Sequence, residues 1–317
     1  MSNATKRILS LSLSGGGHLL PYHLAASATL LKHATSNNKD FPPIKSVSGS
    51  SAGAIAAVVV TRAPHRIHDY AQRFMNDGGR AFHHLEELLK ESETETRGSS
   101  NVDHGRRPSL HICTTKCSDG SVHLFNFDNM NDLPSSSYQS NNNQSSLSET
   151  ERILQCARAS CAIPPSFHPW DVLSPLSKYH NQVPSYHDSE GIKLEDGCHH
   201  VDGGISAPAP PTPHHDRDED DACRIVISPI SGSGRNRISP KNDDDAWTFL
   251  PEFKCRGGFH VRPSIQNLRA LRVAMGATSK QELMGWYRRG EEDAERFVRD
   301  FDIDDCSSGR PPGYMTL

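Results

Sequence analysis

No apolar run in this sequence approaches the roughly 20 residues that a membrane-spanning helix requires. A mean hydropathy of -0.60 points instead to a soluble chain carrying polar insertions. Positive charge is not in excess either: 34 Lys and Arg face 38 Asp and Glu, a formal net charge of -4. That balance removes the basic surface expected of a general nucleic-acid binder. The eight cysteines show no repeated zinc spacing, so reduced structural thiols are expected. The segment Met1 to Leu13 has neither the continuous apolar core nor the cleavage site of a signal peptide. The expected location is therefore intracellular, either cytoplasmic or peripheral at a membrane or lipid droplet. No internal repeat is present.

What the chain does contain begins with Gly49-Ser50-Ser51-Ala52-Gly53, between the apolar run Ile44 to Ser48 and the helix-like Ala54 to Val58. This G-x-S-x-G reads as a sharp strand-to-helix turn that lifts the Ser51 hydroxyl above the end of a sheet. Glycines suit such a turn because side chains beside the serine would clash. The following helix presents its positive end to negative charge developing there.

Other elements follow from periodicity. Arg7 to Leu13 alternates as a strand, Gly15-Gly16-Gly17 breaks it, and Leu19 to Ala34 reads as a helix. Strand, glycine turn and helix, given twice in succession, imply a mostly parallel sheet with helices on its faces, an α/β fold. Ile67 to Lys90 reads as one long charged helix, and Glu91 to Arg107 as a polar loop. Ser109 to Thr114 and Val122 to Phe127, flanking Ser118-Asp119-Gly120, predict a hairpin. Glu149 to Ser160 is helical and Ala162 to Pro169, rich in proline, cannot continue it. Arg224 to Ser228 reads as a buried strand. Ser279-x-x-Glu282 is a capping box that opens the second of a C-terminal helix pair.

An acyl-transfer serine needs a base and donors aimed at the developing oxyanion. Gly15, Gly16 and Gly17 are the candidate donors; a dinucleotide cradle fails because Leu20 holds the last glycine position. Asp202, in Val201-Asp202-Gly203-Gly204, is the leading base, since a buried carboxylate within reach can deprotonate serine directly. A triad would draw on His214, His215 or His260, none in a distinctive context. His199-His200 and the Asp/His cluster lack the spacing for three convergent metal ligands, so neither metal nor cofactor is expected.

Gly15-Gly16-Gly17, Gly49-x-Ser51-x-Gly53 and Asp202-Gly203-Gly204, in this order, resemble the patatin-like phospholipase family. The nearer likeness is to its adiponutrin and adipose triglyceride lipase branch. Tyr22-His23, Val201 to Ser206, Ile227 to Gly232, Asn267 to Leu271 and Tyr287 to Gly290 carry that likeness. The resemblance implies a three-layer α/β/α fold over residues 7–302, between tails at 1–6 and 303–317, with polar insertions near 91–107, 135–148 and 212–222. It also implies Ser51 as nucleophile, Asp202 as base, Gly15 to Gly17 as oxyanion hole, and carboxylic-ester hydrolysis through an acyl-enzyme. The substrate would be a lipid, triacylglycerol or glycerophospholipid, with peripheral contact to a membrane or droplet. Phe167, Trp170, Val172, Leu173 and Leu176 are candidates for an acyl groove or a core loop. The chain departs from the family at Leu19-Leu20-Pro21, where a further glycine is usual, and at Ala207-Pro208-Ala209-Pro210. The altered glycine loop motivates a second reading, a catalytically weak lipid-binding or regulatory protein on the same scaffold.

Overall fold

A computed structural model describes residues 8–36, 41–77, 80–98, 107–127, 147–167, 185–212, 222–234, 236–241, 250–255, 259–276 and 278–301. Trp170, Val172, Leu173, Leu176, His214, His215, the 135–146 part of one insertion and the tails at 1–6 and 303–317 lie outside these residues.

The centre of the fold is β1 (Ile8–Leu13), paired in parallel with β2 (Ile44–Ser50) on one side and β7 (Ala222–Ile227) on the other. Leu9, Leu11 and Leu13 are wholly buried, and so are Ser10 and Ser12 between them. The apolar alternation therefore does not mark a wet face. Helices cover the sheet on both sides, and the serines are satisfied inside it: Ser46 donates to Ser10 at 2.9 Å, and Ser12 to the Pro210 carbonyl at 2.7 Å.

Beyond β2 lies β3 (Ser109–Lys116), parallel to it, and β3 forms the expected antiparallel hairpin with β4 (Val122–Phe127). The antiparallel β5 (Ile192–Lys193) and β6 (His199–Asp202) extend one end, and the parallel β8 (Arg237–Ile238) the other. This is a mixed, mostly parallel eight-stranded sheet flanked by helices, consistent with the three-layer α/β/α fold. A separate two-stranded ribbon pairs β9 (Phe253–Lys254) with β10 (His260–Val261).

The helices are α1 (Leu20–Thr35), α2 (Ala52–Arg62), α3 (Ile67–Asp77), α4 (Ala81–Gly98) and α5 (Glu149–Ser160), then the single turn α6 (Gly203–Ser206), α7 (Ile265–Ala274) and α8 (Lys280–Asp300). Two expectations are corrected here. The span from Ile67 to Lys90 is two helices rather than one, divided after Asp77 where Gly78-Gly79 stands in the sequence. The polar stretch from Glu91 is not a loop, because α4 runs on to Gly98. Its Glu residues are good helix formers, and Arg66 and Arg73 reach across from the preceding segment to pair with Glu91. At Ser279 only half of the capping box forms: Ser279 accepts from the Glu282 N–H, while the Glu282 carboxylate turns to Arg272 and Thr278.

Long-range ties fix the layers. The Tyr22 hydroxyl donates to Asp293 at 2.8 Å, joining α1 to α8. Arg62 donates to the Phe127 carbonyl at 2.7 Å and to Glu149 at 2.8 Å, joining α2 to β4 and α5. Six cysteines among the described residues are free, whereas Cys223 is disulfide-bonded, which corrects the expectation of reduced thiols at that position. No helix among the described residues is long and apolar enough to cross a membrane.

Candidate active site

The edge of β3 brings two distant parts of the chain together. Its residues up to Cys113 pair with β2, and Cys113 lies opposite Ser50. The next residue, Thr114, lies opposite Asp202 of β6. Because β4 occupies the other edge over the same residues, β2 and β6 arrive end to end on one side of β3. Ser51 and Asp202 are thereby neighbours, although 150 positions separate them in sequence.

Ser51 sits between β2 and α2 with φ of 53°, the only residue other than glycine with positive φ among the described residues. A side chain held there costs of order 1–3 kcal/mol, and such strain collects at functional sites. The turn is tight: a Cβ on Gly53 would lie 2.3 Å from the Leu13 carbonyl oxygen. That close approach seats the end of β1, and the glycine loop after it, against the elbow. Gly15 follows directly, and a Cβ placed on it would be 3.5 Å from Ser51 Cβ.

The Ser51 side chain lies near enough to the Asp202 carboxylate to favour its charged form, and the carboxylate accepts the Gly204 N–H at 2.7 Å. Burial raises its pKa to about 6, against the lowering effect of Ser51 and of the Gly204 N–H. Gly203 is forced by close approach as well, since a Cβ there would meet the Cys113 carbonyl oxygen at 2.1 Å. Asp202 is thus a nearly dry carboxylate (5% exposed) beside a half-buried serine.

Three residues that sequence reasoning passed over hold this pair. The Ser51 N–H donates to Ser160 Oγ at 2.9 Å, and the Ser160 hydroxyl donates to the Cys113 carbonyl at 2.6 Å. The Cys161 thiol lies beside the Ser51 side chain, and burial, then the Asp202 charge, pushes its pKa up so that it stays protonated. The Asp202 N–H donates to the Ala162 carbonyl at 2.9 Å. The end of α5 therefore touches both partners. No motif marks it; the only sequence signal is a polar Ser-Cys pair where a helix meets a proline-rich break.

Of the loop glycines, Gly15 directs its N–H to the Pro208 carbonyl at 3.3 Å. The N–H groups of Gly16 and Gly17 have no backbone acceptor among the described residues. Behind Gly16 stands His23, wholly buried and kept neutral by a pKa pushed down to about 3. No histidine among the described residues is hydrogen-bonded to Ser51 or Asp202. His260 lies on the β9–β10 ribbon facing Glu252, and His200 is bonded to Thr114 and Asp196. The departure at Leu19-Leu20-Pro21 is packed into the core, as all three side chains are buried.

This arrangement supplies a strained serine, a buried carboxylate of raised pKa and a glycine loop beside both. The family model for patatin-like phospholipases matches residues 11–213. Patatin-like phospholipase domain-containing protein 4 from Homo sapiens is 25% identical over 300 residues, covering 92% of this chain and 96% of its own length. The crystal structure of VipD from Legionella pneumophila covers 96% of this chain and 68% of that one, at 11% identity and a TM-score of 0.39, a likeness too slight to argue from.

Proposed function

This chain belongs to the patatin-like phospholipase family, and on that premise we propose that it hydrolyses lipid carboxylic esters through a Ser51–Asp202 dyad. The family supports lipid hydrolysis in general; the dyad, the acyl-enzyme and the substrate class, triacylglycerol or glycerophospholipid, are our reading. The carrying observation is the juxtaposition of Ser51 with a buried Asp202, whose charged form the serine favours and to which no histidine among the described residues is hydrogen-bonded.

In this mechanism Asp202 takes the Ser51 proton as Oγ attacks the ester carbonyl carbon. The carbonyl electron pair moves onto oxygen, and the N–H groups of Gly16 and Gly17 receive that charge, with Gly15 as wall beside Ser51. Collapse of the tetrahedral species breaks the bond to the alcohol portion, which leaves with the proton from Asp202. Water, deprotonated by Asp202, then attacks the acyl-Ser51 carbonyl; the bond to Ser51 Oγ breaks as Oγ takes back the proton from Asp202, and the fatty acid is released. A pKa of about 6 suits both roles, because the carboxylate is ionised at neutral pH yet basic enough to accept a proton. We assign this activity to a single domain over residues 7–302.

The test is ester hydrolysis by the native chain against a panel of triacylglycerols and phospholipids, with Ser51→Ala alongside. Turnover that disappears in the variant supports the reading, while turnover unchanged in Ser51→Ala removes it.

A further inference from the structure

α7 is built with its polarity reversed. Its inward side carries Gln266, Asn267, Ala270 and Val273, all buried. Asn267 locks that side down: its carboxamide accepts the Ser231 N–H at 2.8 Å and donates to the Ser231 carbonyl at 2.9 Å and the Arg262 carbonyl at 2.6 Å. The large apolar side chains point the other way. Ile265 is 42% exposed, Leu268 55%, Leu271 42%, and Met275, just past the helix end, 79%. Spacings of three and four residues put these on one stripe. Scattered exposed apolar residues need no explanation, but a continuous stripe on a firmly anchored helix does.

The stripe ends beside the glycine loop. The Ala274 carbonyl oxygen lies 2.2 Å from where a Cβ on Gly17 would be, and 3.4 Å from His18 Nδ1. Met275, the most exposed large apolar side chain among the described residues, is therefore one position from a direct contact with the glycine loop. The next most exposed, Ile163 at 64%, is one position past Ala162, which holds Asp202. Each extreme of apolar exposure thus lies one position from a residue that touches the glycine loop or Asp202.

Charge selects the occupant. Arg269 and Arg272 share the outward side with the stripe, and no acidic residue occurs from Ile265 to Gly276. Arg272 is paired with Glu282 of α8, and Arg269 is exposed. Flexible Leu, Ile and Met beside arginine, without the Tyr and Trp that anchor protein interfaces, match an interfacial helix. We propose that α7 is the docking helix by which this protein settles on an anionic lipid surface, with its glycine loop turned to the interface. The proposal rests on the lipid-hydrolase reading for its purpose.

The test is co-sedimentation of the full chain with vesicles of phosphatidylcholine alone and of phosphatidylcholine with phosphatidylglycerol in equal parts. The native chain and Ser51→Ala are expected to bind the mixed vesicles alike, more weakly in high salt and on phosphatidylcholine alone. Leu268→Ser/Met275→Ser is expected to keep its Tm and lose binding about tenfold or more. Arg269→Glu is expected to lose the preference for phosphatidylglycerol. Native-like vesicle binding by the double variant overturns the proposal, as does a native chain that binds neither vesicle. A double variant that turns a dimer into monomer with vesicle binding intact assigns the stripe to a second copy and also overturns it. Vesicle binding with no turnover of any ester would instead count against the dyad reading alone.

Discussion

The backbone N–H of Ser51 is held by the hydroxyl of Ser160 at 2.9 Å, across 109 positions of sequence. Ser160 is wholly buried and donates its own hydroxyl hydrogen bond to the Cys113 carbonyl, so a single side chain joins the elbow to β3. Ser160→Ala would leave the Ser51 N–H and the Cys113 carbonyl without this partner, which costs about 1–3 kcal/mol for each unpaired buried group. We expect kcat to fall by roughly tenfold or more with KM little changed, because Ser160 positions the nucleophile and does not meet the lipid. Steady-state kinetics on one ester, read beside the variant's Tm, check this. A rise in KM at constant kcat would count against it.

The pH profile follows from Asp202. A base with pKa about 6 must be ionised to accept the Ser51 proton, so kcat/KM falls as pH drops below about 6 and is level above it. Burial keeps His23 neutral across that range, so it adds no inflection there. Initial rates from pH 4 to 8 measure the profile; a flat profile down to pH 4.5 would be inconsistent with Asp202 as base.

The same group carries a stability cost. Its folded pKa, about 6, stands above the ordinary value of 3.8, so the folded state binds the proton more tightly than the unfolded state. Stability is therefore lost as pH rises from about 4 to about 6, by roughly 3 kcal/mol for a shift of this size. Asp202→Asn, which removes the charge, is expected to be inactive and more stable than the native chain at pH 7. Denaturant unfolding at pH 7 and pH 4 checks both halves: the advantage should be present at the first and gone at the second.

Gly53→Ala tests the seating of the glycine loop. The new methyl group would fall 2.3 Å from the Leu13 carbonyl oxygen and 2.5 Å from that of Ser14, both backbone atoms that cannot swing aside. A loss of several kcal/mol, seen as poor expression or a large drop in Tm, is expected. A variant with native Tm and native activity would show that the loop is not pressed against the elbow.

Much of this was legible in the sequence. The elbow, the β3–β4 hairpin and the strand–turn–helix order all announce themselves through alternation and glycine placement. Three ordered motifs pointed to the fold that the structure has. The division of α3 from α4 had a signal in Gly78-Gly79, but apolar positions at helical spacing on both sides outweighed that pair. The run to Gly98 looked like a loop because polar content says nothing against an exposed helix. Ser160 and Cys161 were silent because their role depends on where α5 ends against β3, a tertiary fact without local pattern. The outward turn of Leu268 and Leu271 was silent for the same reason: periodicity finds a face, but only packing decides which way it turns.

The central claim is that Asp202 activates Ser51, and covalent labelling addresses it most directly. Native protein is treated at neutral pH with a fluorophosphonate probe, and the adduct is located by peptide mass spectrometry, with Asp202→Asn in parallel. The account predicts one adduct, on Ser51, and labelling slowed by about 100-fold or more in Asp202→Asn. An adduct on another residue, or Ser51 labelled equally fast without the Asp202 carboxylate, would contradict it.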